Sequence, residues 1–157
     1  MSYALSPPSH HAQPNITYGS LDVFGRSTGV SAIINASTLR TGSWANPNIR
    51  PQGFLGGINN HARSHLLARI LGGNGSDARN LTTLYQRNAN HPNMSSFENT
   101  IVKRVESGET IRLRVIPIYK SFYPAPTGIT LEARGSNGFK MNVSVPNQDS
   151  TLNLFGK

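Results

Sequence analysis

The chain has no cysteine, so neither a disulfide framework nor a zinc–thiolate site can form, and the redox compartment stays undetermined. It is also poor in acid. Seven carboxylates are scattered at Asp22, Asp77, Glu98, Glu106, Glu109, Glu132 and Asp149, which does not easily build the carboxylate cluster that holds two metal ions. No apolar run reaches the roughly 18 residues that a membrane-spanning helix needs. Met1 to Pro14 lacks the apolar centre of a classical signal peptide, so any export is expected to use another route or an upstream portion.

What is present is basic. Fifteen Lys and Arg residues give a formal net charge of +8 in 157 residues, and most of them are arginine, which suits planar and phosphate partners. A polyanion is the natural partner, with a merely soluble basic surface as the plain alternative. The length suits one domain. Ser6-Pro7-Pro8-Ser9-His10-His11 is small, polar and Pro-rich, so residues 1–15 read as a flexible N-terminal segment and 16–157 as the folded domain. His10 and His11 are more economically filler than metal ligands.

Within the folded part, Val30–Ile34 is a short β-branched run bracketed by glycine and by Asn35-Ala36-Ser37, which predicts a strand. Residues 41–60 carry Gly42, Pro47, Pro51, Gly53, Gly56 and Gly57, the composition of an irregular loop that Trp44 and Phe54 are expected to pin to the core rather than stack on a nucleobase. Met94, Phe97, Ile101, Val102 and Val105 follow an i, i+3, i+7, i+8, i+11 spacing, one apolar helical face ending near Gly108. Three alternating segments follow, around Ile111–Val115, Ile129–Arg134 and Phe139–Val145, and predict a three-stranded antiparallel meander.

The stretch from Arg63 to Glu98 carries the chemistry. It holds a histidine able to act as a base, arginines for phosphate and amide oxygens for a hard cation. These are the parts of a single-metal phosphodiester hydrolase. Gly72-Gly73-Asn74-Gly75 lacks the Gly-Lys-Ser/Thr ending of a nucleotide-binding loop. Ser64 beside His65 does not make a nucleophilic pair, because neighbouring side chains on a strand point to opposite faces and no Gly-x-Ser-x-Gly elbow surrounds them.

His61-Ala62-Arg63-Ser64-His65-Leu66-Leu67-Ala68-Arg69, then Leu71-Gly72-Gly73-Asn74-Gly75, Arg79-Asn80-Leu81 and Asn88-Ala89-Asn90, resembles the DNA/RNA non-specific endonucleases of the ββα-metal (His-Me finger) group, and most closely the toxin domains of secreted bacterial proteins. The resemblance runs from about Gly29 to Asn147. It implies an α+β fold with a ββα-metal core and an antiparallel sheet. It also implies His65 as general base, Asn90 as protein ligand of Mg²⁺ or Mn²⁺ with Asn88 as the competing register, and Glu98 supporting the hydrated ion. DNA or RNA would be the substrate, with 5′-phosphate products and little sequence preference. Two positions depart from the family pattern: Ser64 stands where Gly is usual and Ala62 where Asp is common.

Arg63, beside the base, is the best candidate for a phosphate clamp. Arg69, Arg79 and Arg87 read as a general electrostatic surface for substrate, and Asn80, placed with the substrate contacts, either orients the site or closes the loop after Asp77. Glu98 has a structural competitor, since Ser95-Ser96-Phe97-Glu98 is a capping-box sequence. The toxin-like resemblance further implies delivery into a target cell by a non-classical route and an acidic immunity protein in the producer. The competing reading of the whole chain is a non-catalytic basic nucleic-acid-binding module.

Overall fold

A computed structural model of the protein describes residues 15–149. The Pro-rich opening with His10 and His11, and the residues from 150 on, lie outside the described residues. Five antiparallel strands form the main sheet in the order β1 (Ile16–Tyr18), β2 (Val30–Ile34), β7 (Ile111–Ile118), β8 (Gly128–Gly135) and β9 (Lys140–Pro146). Between β2 and β7 the chain makes a hairpin of β3 (His61–His65) and β4 (Leu81–Tyr85), a short parallel pair β5 (Arg87–Asn88) and β6 (His91–Pro92), and helix α1 (Asn93–Glu106).

The alternation in the last three strands has its expected result. Ile111, Leu113 and Val115 point to the same face as Ile129, Leu131 and Ala133 and are buried, as are Val30, Ala32 and Ile34 on β2. Helix α1 supplies Met94, Ile101, Val102 and Val105 to this core, and Leu66, Leu67, Leu71 and Leu84 come from the hairpin region. Each such side chain contributes about 1.5–3 kcal/mol on burial. The other face of the sheet stays open, and Arg112, Arg134 and Lys140 stand in one cross-strand row on it.

Helix α1 stops where Gly108 takes φ 103°, a left-handed conformation that glycine adopts without the Cβ penalty. The next residue locks that end in place. Buried Glu109 accepts from Arg104 Nε at 2.8 Å and from the backbone N–H groups of Asn137 and Phe139 at 2.9 and 3.1 Å, tying the helix to the β8–β9 turn.

The loop of residues 41–60 is irregular as expected, but its two aromatics part company. Phe54 is buried, whereas Trp44 is 76% exposed and does not pin the loop. Backbone hydrogen bonds do that instead: Ser43 N–H donates to Gly73 O and Asn46 N–H to Gly75 O, at 3.0 and 2.9 Å. The glycines are required there by close approach. A Cβ on Gly73 would collide with Leu67 O, and one on Gly75 with Trp44 O.

Candidate active site

On β3 the side chains of Arg63 and His65 alternate with that of Ser64, which is buried. Ser64 sits in ordinary strand backbone, since it is not among the residues with positive φ, so a Cβ is tolerated where glycine is common. Its hydroxyl is the one buried side-chain polar atom without a hydrogen-bond partner among the described residues.

His65 is held from the neighbouring loop. Its Nε2 lies 2.8 Å from the Ser43 backbone oxygen, and a carbonyl can only accept, so Nε2 must carry the proton. In the neutral ring Nδ1 is then an acceptor, the form that a general base needs. Burial lowers the pKa of His65 below its ordinary value; the Ser43 hydrogen bond opposes this and the charge of Arg69 reinforces it.

An open cleft of about 240 Å³ brings together Arg63, Ser64, His65, Arg69, Asn90 and Glu98, with Trp44 on its wall. Each arginine is fixed by a partner that leaves its charge unneutralised. Arg63 Nε donates to Ile49 O at 2.7 Å, with its guanidinium 4.3 Å from the centre of the Phe54 ring. The Arg69 guanidinium lies 3.9 Å from the centre of the Trp44 ring. Asn90 Nδ2 donates to Gln86 Oε1 at 2.9 Å, which orients the amide and leaves Oδ1 as its acceptor.

Glu98 is not a capping residue. Helix α1 begins at Asn93, so Glu98 lies in its second turn, and Ser95 Oγ bonds to His91 Nδ1 and Pro92 O instead. The carboxylate is half-buried in the cleft, and burial pushes its pKa up to about 7. A desolvated carboxylate without a cationic partner favours a bound cation. Among the described residues no group of three or more His, Cys, Asp or Glu could hold a metal. The donors present, one amide oxygen and one carboxylate, therefore fit a hard ion that keeps most of its waters, the habit of Mg²⁺.

The remaining sequence candidates lie elsewhere. Asn80 is fully buried: its Oδ1 accepts from Leu67 N–H at 2.8 Å, and its Nδ2 donates to Leu67 O and Asn74 O at 3.1 and 3.2 Å. It closes the glycine-rich loop and cannot reach a substrate, which corrects the substrate-contact reading. Arg79 is committed to Asp77 through two hydrogen bonds of 3.0 and 2.7 Å, and neither it nor Arg87 lines the cleft. Asn88 also lies outside the cleft lining, with φ 92° and its Oδ1 accepting from Asn93 Nδ2 at 3.3 Å. The structure thus brings Asn90, not Asn88, to His65. Sequence reasoning missed Ser43, Gln86 and Ile49. Two of the three act through backbone oxygens, which leave no mark in a sequence.

The profile of the DNA/RNA non-specific endonuclease family matches residues 8–137. No curated protein sequence gives a significant match. Among solved structures, the chain is similar to NucA from Streptococcus agalactiae with a magnesium ion bound, at 20% identity and TM-score 0.75, covering 86% of this chain and 71% of that one. It is also similar to the Sda1 nuclease with a bound zinc ion, at 22% identity and TM-score 0.73, covering 85% and 74%. An extracellular endonuclease follows at 18% identity and TM-score 0.64, covering 85% and 78%. At these identities the likeness shows the fold, and it is the α+β arrangement with an antiparallel sheet that the resemblance implied. Among the described residues no helix is long and apolar enough to cross a membrane.

Proposed function

The chain belongs to the DNA/RNA non-specific endonuclease family, and from that premise we propose that the cleft beside β3 hydrolyses phosphodiester bonds of DNA or RNA with little regard for sequence. The observation that carries this reading is His65, whose Nε2–H is spent on the Ser43 carbonyl while Nδ1 remains an acceptor in a cleft shared with Arg63, Asn90 and Glu98.

His65 Nδ1 takes a proton from a water molecule as its oxygen bonds to phosphorus. The bond from phosphorus to the 3′ oxygen breaks, and a solvent proton returns to that oxygen, giving a 5′-phosphate and a 3′-hydroxyl. Arg63 holds a non-bridging oxygen, its guanidinium kept in place by Ile49 O and the Phe54 ring. Asn90 Oδ1 and Glu98 would hold Mg²⁺ or Mn²⁺, whose charge would offset the negative charge developing on the phosphate and on the departing oxygen. Gln86 keeps the Asn90 amide turned for that task.

The biological role we infer is an effector or toxin nuclease that acts outside the producing cell or is delivered into another, restrained in the producer by an acidic immunity protein. The +8 charge and the cationic cleft support such a partner, since complementary charge speeds association at low salt. Digestion of a plasmid and of a structured RNA, with Mg²⁺, with Mn²⁺ and with EDTA, tests the catalytic reading. Salt-sensitive binding without metal-dependent cleavage would leave a non-catalytic nucleic-acid-binding module in its place. Expression in bacterial cytoplasm without a partner tests the toxin role, which would be refuted by normal growth and intact chromosomal DNA from soluble, active protein.

A further inference from the structure

Trp44 is the anomaly of the cleft. A tryptophan side chain offers 150–250 Å² of surface that normally goes to a core or an interface, yet this one is 76% exposed while Phe54, from the same loop, is buried. The exposure does not come from a slack loop. Ser43 N–H donates to Gly73 O, Asn46 N–H to Gly75 O and Gly75 N–H to Ser43 Oγ, at 3.0, 2.9 and 2.9 Å. The residue immediately before Trp44 also provides the carbonyl that orients His65. The backbone that carries the indole is therefore fixed relative to the base, and Arg69 sits over the ring at 3.9 Å from its centre. The cation thus covers one face of the indole, and the exposed remainder of the ring, with that charge beside it, matches the base and the phosphate of one nucleotide.

We propose that Trp44 is a stacking platform for an unpaired nucleobase flanking the scissile phosphate, with Arg69 taking the adjoining phosphate. This rests on the nuclease reading of the cleft. Stacking on an indole is indifferent to base identity, because every base has a π face. It does require a base free of its neighbours, so the platform favours single strands and locally opened duplex over intact duplex.

Trp44 is the only tryptophan of the chain, so its fluorescence reports this contact directly. The full protein in EDTA is titrated with a phosphorothioate oligothymidylate, and with a phosphorothioate duplex of equal length, while anisotropy of a labelled copy measures binding. Fluorescence quenching that tracks binding of the single strand and is weaker with the duplex is expected. Trp44→Ala should weaken single-strand binding about tenfold, Trp44→Tyr should restore most of it, and the melting temperature should hold because the side chain is exposed. Binding without quenching, with Trp44→Ala as tight as wild type, overturns the platform and leaves the nuclease reading standing. Absence of both binding and cleavage by the wild-type protein overturns the two together.

Discussion

The cleft beside β3 and the open face of the five-stranded sheet both gather arginine, yet they hold it differently. On the sheet face a wider hollow of about 480 Å³ is lined by Arg112, Arg114, Arg134 and Lys140 against one acid, Glu132. Arg114 reaches Glu132 only at 3.4 Å, and both are well exposed, so the pair adds little. In the cleft, by contrast, Arg63 and Arg69 are anchored by a carbonyl and by aromatic rings, beside a base, an amide oxygen and a desolvated carboxylate. Charge alone marks where a polyanion can rest. Reaction requires charge fixed in direction next to a group that can take a proton.

The largest effect expected from this contrast is at His65. His65→Ala should lower cleavage by about 10²–10⁴ while nucleic-acid binding persists, as measured by plasmid digestion alongside a gel-shift titration. Wild-type digestion by the variant would make the cleft no more than another basic surface.

Next in size is a loss of stability under the cleft. Asn80→Ala leaves Leu67 N–H and Leu67 O as buried groups without their partners and frees the part-buried Asn74 O, and each buried orphan costs about 1–3 kcal/mol. A fall of about 3 kcal/mol or more in denaturant unfolding is expected. A variant that unfolds like wild type but binds substrate poorly would return Asn80 to the substrate contacts.

Asn90→Ala should raise the Mg²⁺ concentration needed for half-maximal activity by at least the ~10–100-fold that loss of a supporting group around a metal costs. Asn88→Ala should shift it far less, because Asn88 faces Asn93 outside the cleft. The reverse ranking in a metal titration would move the ion to Asn88. The pH dependence has two separable parts. With its pKa lowered by burial, His65 stays neutral below its ordinary value, so kcat at saturating metal should fall only at a pH below about 6.5. Glu98, raised to about 7, is protonated below that pH and loses its charge for a cation, so more metal should be needed at pH 6 than at pH 8. Glu98→Gln should flatten the second dependence and spare the first.

How much of this was legible depends on the kind of contact that made it. Helix α1 and strands β2, β7, β8 and β9 were readable because a buried face repeats every 3.6 or 2 residues. Strand β1, only three residues long, offers too short a pattern, and β3 reads His61-Ala62-Arg63-Ser64-His65 with no apolar alternation. That strand is stabilised by pairing with β4 and presents Arg63 and His65 to the cleft. The roles of His65, Asn90 and Glu98 were assigned from the family resemblance, and the three line one cleft. Asn80 and Asn90 belong to the same motif set, but nothing in their spacing says which amide turns inward to clamp a loop. Trp44 was assigned to the core on composition, because a tryptophan in a Gly- and Pro-rich loop usually packs. Its exposure follows from hydrogen bonds between residues 43–46 and 73–75, which no local pattern encodes.

The smallest effect is expected on the sheet face, where it separates charge from chemistry most cleanly. Arg112 pairs across strands with Arg134, and Arg134 with Lys140, so like charges face each other directly in two successive pairs, an arrangement that costs stability. Arg112→Glu would set an acid opposite Arg134, and a gain of about 0.2–1 kcal/mol is expected for an opposite-charge pair there, read from denaturant unfolding at low salt and fading as salt is added. Cleavage of a short oligonucleotide should keep its kcat, since none of these residues lines the cleft. A long polymer also in reach of this face would lose a phosphate contact, lowering the salt slope of its binding by about 1. A fall in kcat on the short substrate would mean that the two basic regions act as one, and the distinction between them would fail.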